Sequence, residues 1–357
     1  MPSGNIRLQK WRYNHPRTFK LFLSNYLSED DFKYNGLFLT KGTDRPLVYS
    51  NLELSGRKRS QHIEKMLYVY REHNNCSYKT IDAKFRQEQI NYINNLSPKS
   101  ELQEEIHIVM CCYKRFGNLK TQIKALNSNE DSYKINLHLV NNNLHEKDAI
   151  EDIVSHCRSH YKNIEIYLSH YDNSYYGFQR FFYIRDVLLK NFIVDYVIII
   201  DDDQLFDAKS IYDIYSLKEP QTYKGWYVKL WDWDSNIDYW HGSSINKIEL
   251  LDNVKENIID VSYVGTGGSV VDANIFNPNS KLWDAIVSDD FSAYNIEDLW
   301  LSHVASYEYN WKLQRTFIPP IKEFISDNDL EHSLWTSLKK QKQKFLQRLL
   351  SIRTKSK

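Results

Sequence analysis

Three adjacent carboxylates, Asp201, Asp202 and Asp203, follow the apolar run Tyr196-Val197-Ile198-Ile199-Ile200 and precede Gln204. Like charges this close repel one another, and a bound cation relieves that cost. A divalent ion held there can bridge a diphosphate and neutralise the charge on a departing nucleotide. An Asp-rich turn or a helix cap has the same composition, so the motif alone leaves both alternatives open. A second cluster, Tyr263-Val264-Gly265-Thr266-Gly267-Gly268-Ser269, has glycines that let the backbone come close to a ligand and expose N–H groups to it. A plain turn is the alternative. The third, Asn295-Ile296-Glu297-Asp298-Leu299-Trp300-Leu301, starts a helix that Asn295 would cap, with Glu297 and Asp298 in its first turn. The helix dipole alone favours acidic residues there.

The surrounding pattern says what must hold these residues in place. From Glu105 onward short apolar strands alternate with helical segments. Strands are expected at Ile106–Cys112, Ile135–Val140, Ile164–Leu168 and Tyr196–Ile200, and helices at Phe116–Leu126, Ala149–Tyr161 and Gly177–Lys190. The continuous β-branched run before Asp201 suits a central parallel strand buried on both faces. Such alternation implies an α/β fold with a right-handed, Rossmann-like, mostly parallel sheet, whose ligands bind beyond the carboxyl ends of the strands. The polar residues after each strand are therefore the candidate site.

Residues 1–97 have a different texture. Ile63, Met66, Leu67 and Tyr70 mark one face of an amphipathic helix, and a second, polar helix is expected from Thr80 to Leu96, ended by Ser97-Pro98. This N-terminal extension, mostly helical, carries no motif with recognisable chemistry. Lysine plus arginine equals aspartate plus glutamate, 46 against 46, so no general attraction to nucleic acid is expected. The four cysteines show no metal-binding spacing and are too few for a disulfide scaffold, which favours a reducing compartment. With no apolar leader and no run long enough for a membrane helix, the expectation is a soluble, cytoplasmic protein.

In this order and spacing the motifs resemble those of the GT-A glycosyltransferases over roughly residues 105–335. The resemblance implies a GT-A fold, a nucleoside diphosphate sugar donor (UDP-linked), Mn²⁺ or Mg²⁺, a glycan acceptor, and transfer with inversion. In the Asp-x-Asp motif, Asp203 would be the direct metal ligand. Asp202 would meet the ribose, and Asp201 would reach the metal through water or a neighbouring backbone group. Cys112-Tyr113-Lys114-Arg115 looks like the nucleotide-entry segment. Asn141, Asn142 and Asn143 stand where the family often has an Asp that reads the base, a departure that leaves the base open. Asn173…Gly177-Phe178-Gln179-Arg180 is similar to a stretch whose Arg faces the nucleotide, although a solvated helix residue would give the same sequence. Gly267 and Gly268 would line the donor and acceptor sugars. Asp298 would be the general base and Glu297 a ligand of sugar hydroxyls, while His332 would be a further metal ligand.

Two segments remain. Trp226, Trp231, Trp233 and Trp240, with Asp232 and Asp234, could stack on and hydrogen-bond a sugar, or simply belong to the core. Residues 336–357 hold eight basic residues and no acidic one, with Leu338, Phe345, Leu349 and Ile352 along one helical side. Such a helix suits either peripheral contact with an anionic membrane or packing against the domain. Rivals from other classes are a haloacid-dehalogenase-type phosphatase, whose motif would continue with Thr or Val where Gln204 stands, and a non-catalytic glycan- or nucleotide-sugar-binding protein.

Overall fold

The computed structural model describes residues 5–8, 18–19, 21–40, 42–56, 60, 82–102, 104–127, 133–231, 239, 259–324 and 338–355. The chain divides into two compact units, Met1–Gln103 and Glu104–Lys357.

In the first unit, helices α1 (Asp44–Ser55) and α2 (Ala83–Asn95) accompany a small core of Leu39, Tyr49 and Ile93. Asp82 caps α2 by accepting the Lys84 N–H, a few residues inside the expected start at Thr80. Arg7 is buried here. Its Nε and Nη2 donate to the Glu53 carboxylate at 2.6 and 2.7 Å and its Nη1 to the Ile93 carbonyl. A buried guanidinium needs such complete pairing to offset its lost hydration. The helix expected around Ile63–Tyr70 lies outside the described residues.

The second unit is built on eight strands: β1 (Glu104–Cys112), β2 (Tyr133–Asn141), β3 (Ile164–His170), β4 (Tyr196–Asp201), β5 (Thr222–Gly225), β6 (Ile259–Asp260), β7 (Ser269–Asp272) and β8 (Lys312–Arg315). Their order is β3-β2-β1-β4-β7-β5-β8-β6. Strands β1–β5 and β8 share one direction, while β7 and the edge strand β6 run against it. This is the expected mostly parallel, Rossmann-like sheet, flanked by α3 (Leu119–Leu126), α4 (Lys147–His160), α5 (Gln179–Tyr183), α6 (Ala208–Ser216), α7 (Glu297–His303) and α8 (Lys339–Lys355).

Alternation within the strands sorts the core into two layers. Val109, Cys111, Val197 and Ile199 face a cluster with Phe178, Phe181, Leu299 and Trp300. Ile108, Met110, Ile198 and Ile200 face another with Ile123, Ile150, Phe206 and Ile211. Burial on both faces is what makes the continuous apolar runs stable as parallel strands. The sheet reverses its winding at β1, with β2 and β3 on one side and β4 on the other. The carboxyl ends of β1 and β4 thus bound the crevice where ligands bind in open α/β sheets.

Helix α8 settles the alternatives for the basic C-terminus. Leu338, Phe345, Leu346 and Leu349 are buried in the first cluster, with Leu350 and Ile352 packed against it. Burial of four such side chains contributes roughly 6–12 kcal/mol before ordering costs. The apolar stripe therefore belongs to the protein's own core and is not free to face a membrane, which corrects the expectation of membrane contact through that side. Among the described residues no helix is long and apolar enough to cross a membrane.

Candidate active site

At the β1–β4 crevice Cys111 pairs with Asp201 in register, so the ends of these two strands bring Tyr113, Arg115 and the three aspartates together. The Tyr113 N–H donates to Asp202 Oδ2 at 3.2 Å. Arg115 Nη1 donates to both Asp202 Oδ1 (3.2 Å) and Asp203 Oδ2 (2.8 Å). Burial pushes the Asp202 carboxyl up from its ordinary value. For Asp203 burial, with repulsion from Asp201, pushes it up to about 7 against the pull of Arg115. The Arg115 guanidinium thus leaves the buried negative charge of Asp202 and Asp203 incompletely offset, the condition under which a further cation is favoured.

Arg180, on α5, is buried rather than solvated. Its Nη1 donates to Asp201 Oδ1 at 2.7 Å, its Nη2 to Glu297 Oε1 at 3.3 Å and its Nε to the Gly177 carbonyl at 3.0 Å. These bonds tie the end of β4 to the start of α7. Burial disfavours the charge of Arg180, but Asp201 and Glu297 more than offset this and hold its pKa above the ordinary value. Glu297 is pushed up to about 7 by burial despite Arg180. A Cβ on Gly177 would lie 2.0 Å from Glu297 Oε1. Because Glu297 is itself buried and tied to Arg180, it cannot swing aside freely. Gly177→Ala is therefore expected to destabilise the fold by roughly 1–3 kcal/mol, measured as a lower urea midpoint at unchanged slope. An unchanged midpoint would mean that Glu297 has room the structure does not show.

Asp298 is half-buried beside Glu297. Its Oδ1 accepts the Leu299 N–H at 2.7 Å, and its Oδ2 accepts a hydrogen bond from the Tyr263 hydroxyl. The expected cap is corrected: Ile296, a core residue, occupies the N-cap of α7 and no side chain caps there. Asn295 stands one residue too early. The glycine turn packs against the aspartates. A Cβ on Gly267 would meet Asp201 Oδ2 at 2.8 Å, and Gly268, at φ 73°, donates its N–H to the Ile199 carbonyl.

Several expected contacts prove internal. Cys112 is buried in the second core cluster, and burial raises its thiol well above the ordinary value, so only its backbone is at the strand end. Asn141 is fully buried; its Nδ2 donates to the Asn143 carbonyl and its Oδ1 accepts the Asn143 N–H. Asn142 Nδ2 donates to the Tyr176 carbonyl at 2.6 Å. Both asparagines brace the end of β2 and do not present their side chains to a base. Trp226 lies under the Arg315 guanidinium, 4.9 Å from the ring centroid. His332, Asp232, Trp233, Asp234 and Trp240 lie outside the described residues, among which no three metal-ligating side chains converge.

Composition gave no sign of the Asp201–Arg180–Glu297 chain, because its members are 21 and 117 residues apart. The Tyr263–Asp298 bond was equally hidden, although Tyr263 opens the glycine motif.

No family model and no curated protein sequence matches this chain. Among solved structures it is similar to GalNAc-T7 crystallised with UDP, GalNAc and Mn²⁺, with 9% identity and a TM-score of 0.43, over 61% of this chain and 43% of that one. It is also similar to S. aureus TarS 1-349, with 13% identity and a TM-score of 0.35, over 60% of this chain and 58% of that one. The chain thus spans less than two thirds of either. Likeness of this degree says nothing about the reaction.

Proposed function

We propose that the protein is an inverting, metal-dependent glycosyltransferase that moves a sugar from a UDP-linked or related nucleoside diphosphate donor to a glycan hydroxyl. The observation that carries this reading is the Asp201–Arg180–Glu297 chain, which links the acidic end of β4 to Glu297, the neighbour of the half-buried carboxylate Asp298, at one crevice. A donor needs its diphosphate neutralised, and an acceptor needs a base close by. Both requirements meet here.

Asp203 and Asp201, with His332 as the further candidate ligand, would hold Mn²⁺ or Mg²⁺. The metal would supply positive charge to offset the diphosphate as it leaves. Arg115 is placed to add to that charge and to hold Asp202 for the ribose. Asp298 takes the proton of the acceptor hydroxyl as its oxygen attacks the anomeric carbon, and the nucleoside diphosphate departs with the bonding electrons. Glu297 and the Gly267-Gly268 backbone bind sugar hydroxyls, while Arg180 keeps Glu297 and Asp201 in register.

A panel of nucleoside diphosphate sugars with Mn²⁺ tests the donor assignment by thermal shift. A ligand present at 100 times its Kd stabilises by about 2.7 kcal/mol, which raises Tm by about 5–10 °C for a unit of this size. The expected result is a shift for one donor class, lost when the metal is omitted. No shift with any nucleotide sugar, together with phosphate release from a monoester, would replace this reading with the phosphatase.

A further inference from the structure

Gln122 is a polar residue in an apolar setting. It lies on α3 beside Ile123, with Leu119 and Leu126 a turn away on either side, all three in the second core cluster, and it is itself buried. Its Nε2 donates to the Gln204 carbonyl at 2.8 Å and reaches the Asp201 carbonyl at 3.5 Å. Two carbonyl acceptors facing one amide group fix which end of it carries the hydrogens. Among the described residues its Oε1 has no hydrogen-bond partner. A buried amide oxygen left unpaired costs stability, and an apolar side chain of the same length would fill the space without that cost. Packing therefore does not account for a glutamine at this position.

The local structure shows what the amide holds. Asp201 ends β4 and Gln204 opens the short strand Gln204–Leu205, so the two carbonyls are the two ends of the turn Asp202-Asp203. On this short strand Leu205 and Gln204 pair antiparallel with Lys322 and Glu323, and the Phe324 N–H donates to the Asp203 carbonyl at 2.6 Å. A Cβ on Gly267 would lie 2.5 Å from the Gln204 side-chain amide and 2.8 Å from Asp201 Oδ2, so the glycine turn closes in on the same two residues. The Asp202 and Asp203 carboxylates are held separately, by Arg115 and the Tyr113 N–H.

We propose that Gln122 is a positioning residue whose amide clasps the Asp201 and Gln204 carbonyls and keeps the Asp202-Asp203 turn in the shape that receives a divalent cation. This rests on the reading of the aspartates as a metal site. Adjacent carboxylates repel one another and work to open the turn that carries them. Arg115 opposes that repulsion through the side chains. Lone pairs that Asp203 gives to a cation are withdrawn from Arg115, whereas the Gln122 bond is made to the main chain and is untouched by the exchange. Gln122 therefore acts on the backbone and contacts neither metal nor substrate.

The test needs no substrate. The full chain is titrated with Mn²⁺, the free ion being read by electron paramagnetic resonance, and hydrogen exchange over residues 201–205 is followed by mass spectrometry. Gln122→Met keeps the length of the side chain and removes its donor. It is expected to weaken Mn²⁺ binding at least about tenfold, the scale on which groups that orient metal ligands register, and to speed exchange over 201–205. The urea midpoint reads any loss of global stability separately. Lys124→Met, on the exposed side of α3, should change neither metal binding nor exchange. Should Gln122→Met fail to fold, Gln122→Asn keeps an amide one methylene too short to reach Gln204 and is expected to act in the same direction. A folded Gln122 variant with wild-type Mn²⁺ affinity, or with wild-type exchange over 201–205, would overturn the proposal. No Mn²⁺ binding by the wild-type protein would instead remove the metal reading of the aspartates, and exchange then decides alone whether Gln122 holds the turn.

Discussion

Asp298→Asn is expected to lower turnover by about 10²- to 10⁴-fold, the usual loss when general base catalysis is removed. The substitution keeps the shape of the side chain and an oxygen to accept the Leu299 N–H at Oδ1. The Tyr263 hydroxyl, which now donates to Oδ2, can turn to accept from the amide. What is lost is the ability to take the acceptor's proton. Binding of the nucleotide sugar does not involve that transfer, so its Kd, measured by calorimetry, should stay within about threefold. The wild-type product should carry the anomeric configuration opposite to the donor, readable by NMR. A retained configuration, or a variant with nearly full activity, would show that the base lies elsewhere.

Removing divalent metal with a chelator is expected to abolish turnover and tight nucleotide binding together, and Mn²⁺ or Mg²⁺ should restore both. Asp203→Ala should lose both without rescue. The physical ground is the carboxyl of Asp203, which burial and then Asp201 push up to about 7 although Arg115 lies 2.8 Å away. A ligand with that pKa must lose a proton to bind metal, so affinity should rise as pH climbs through about 7. The same shift has a consequence for the metal-free protein. The folded pKa lies above the ordinary carboxyl value of 3.8. Asp203 therefore contributes stability that is fully present below about 4 and is lost as pH rises through about 7. Metal should raise Tm more at pH 8 than at pH 5. Equal Tm gains at the two pH values would show that the Asp203 proton does not compete with metal, and full activity in chelator would make Arg115 and its neighbours the whole source of charge stabilisation.

The sequence by itself determined the layered part of this protein. Runs such as Ile198-Ile199-Ile200 can be stable only with both faces covered, so they announced central parallel strands. Their alternation with helical segments fixed the crossovers and placed the polar strand ends, Asp201–Asp203 among them, at one edge. Those are local signals, carried by periodicity over a few residues. The tertiary structure alone decided which polar residues face the crevice. Asn141 and Asn142 follow a strand as Tyr113 and Arg115 do, yet packing turns both inward to satisfy backbone groups. Arg180 has the composition of a solvated helix residue, but the approach of Gly177 to Glu297 closes an ion pair across 117 residues. Leu338, Phe345 and Leu349 form a stripe that suits a membrane surface or a core equally. Only the presence of an apolar face on the same unit for them to cover decides for the core. Burial and charge pairing depend on what arrives from elsewhere in the chain, and for that reason no window of sequence contains them.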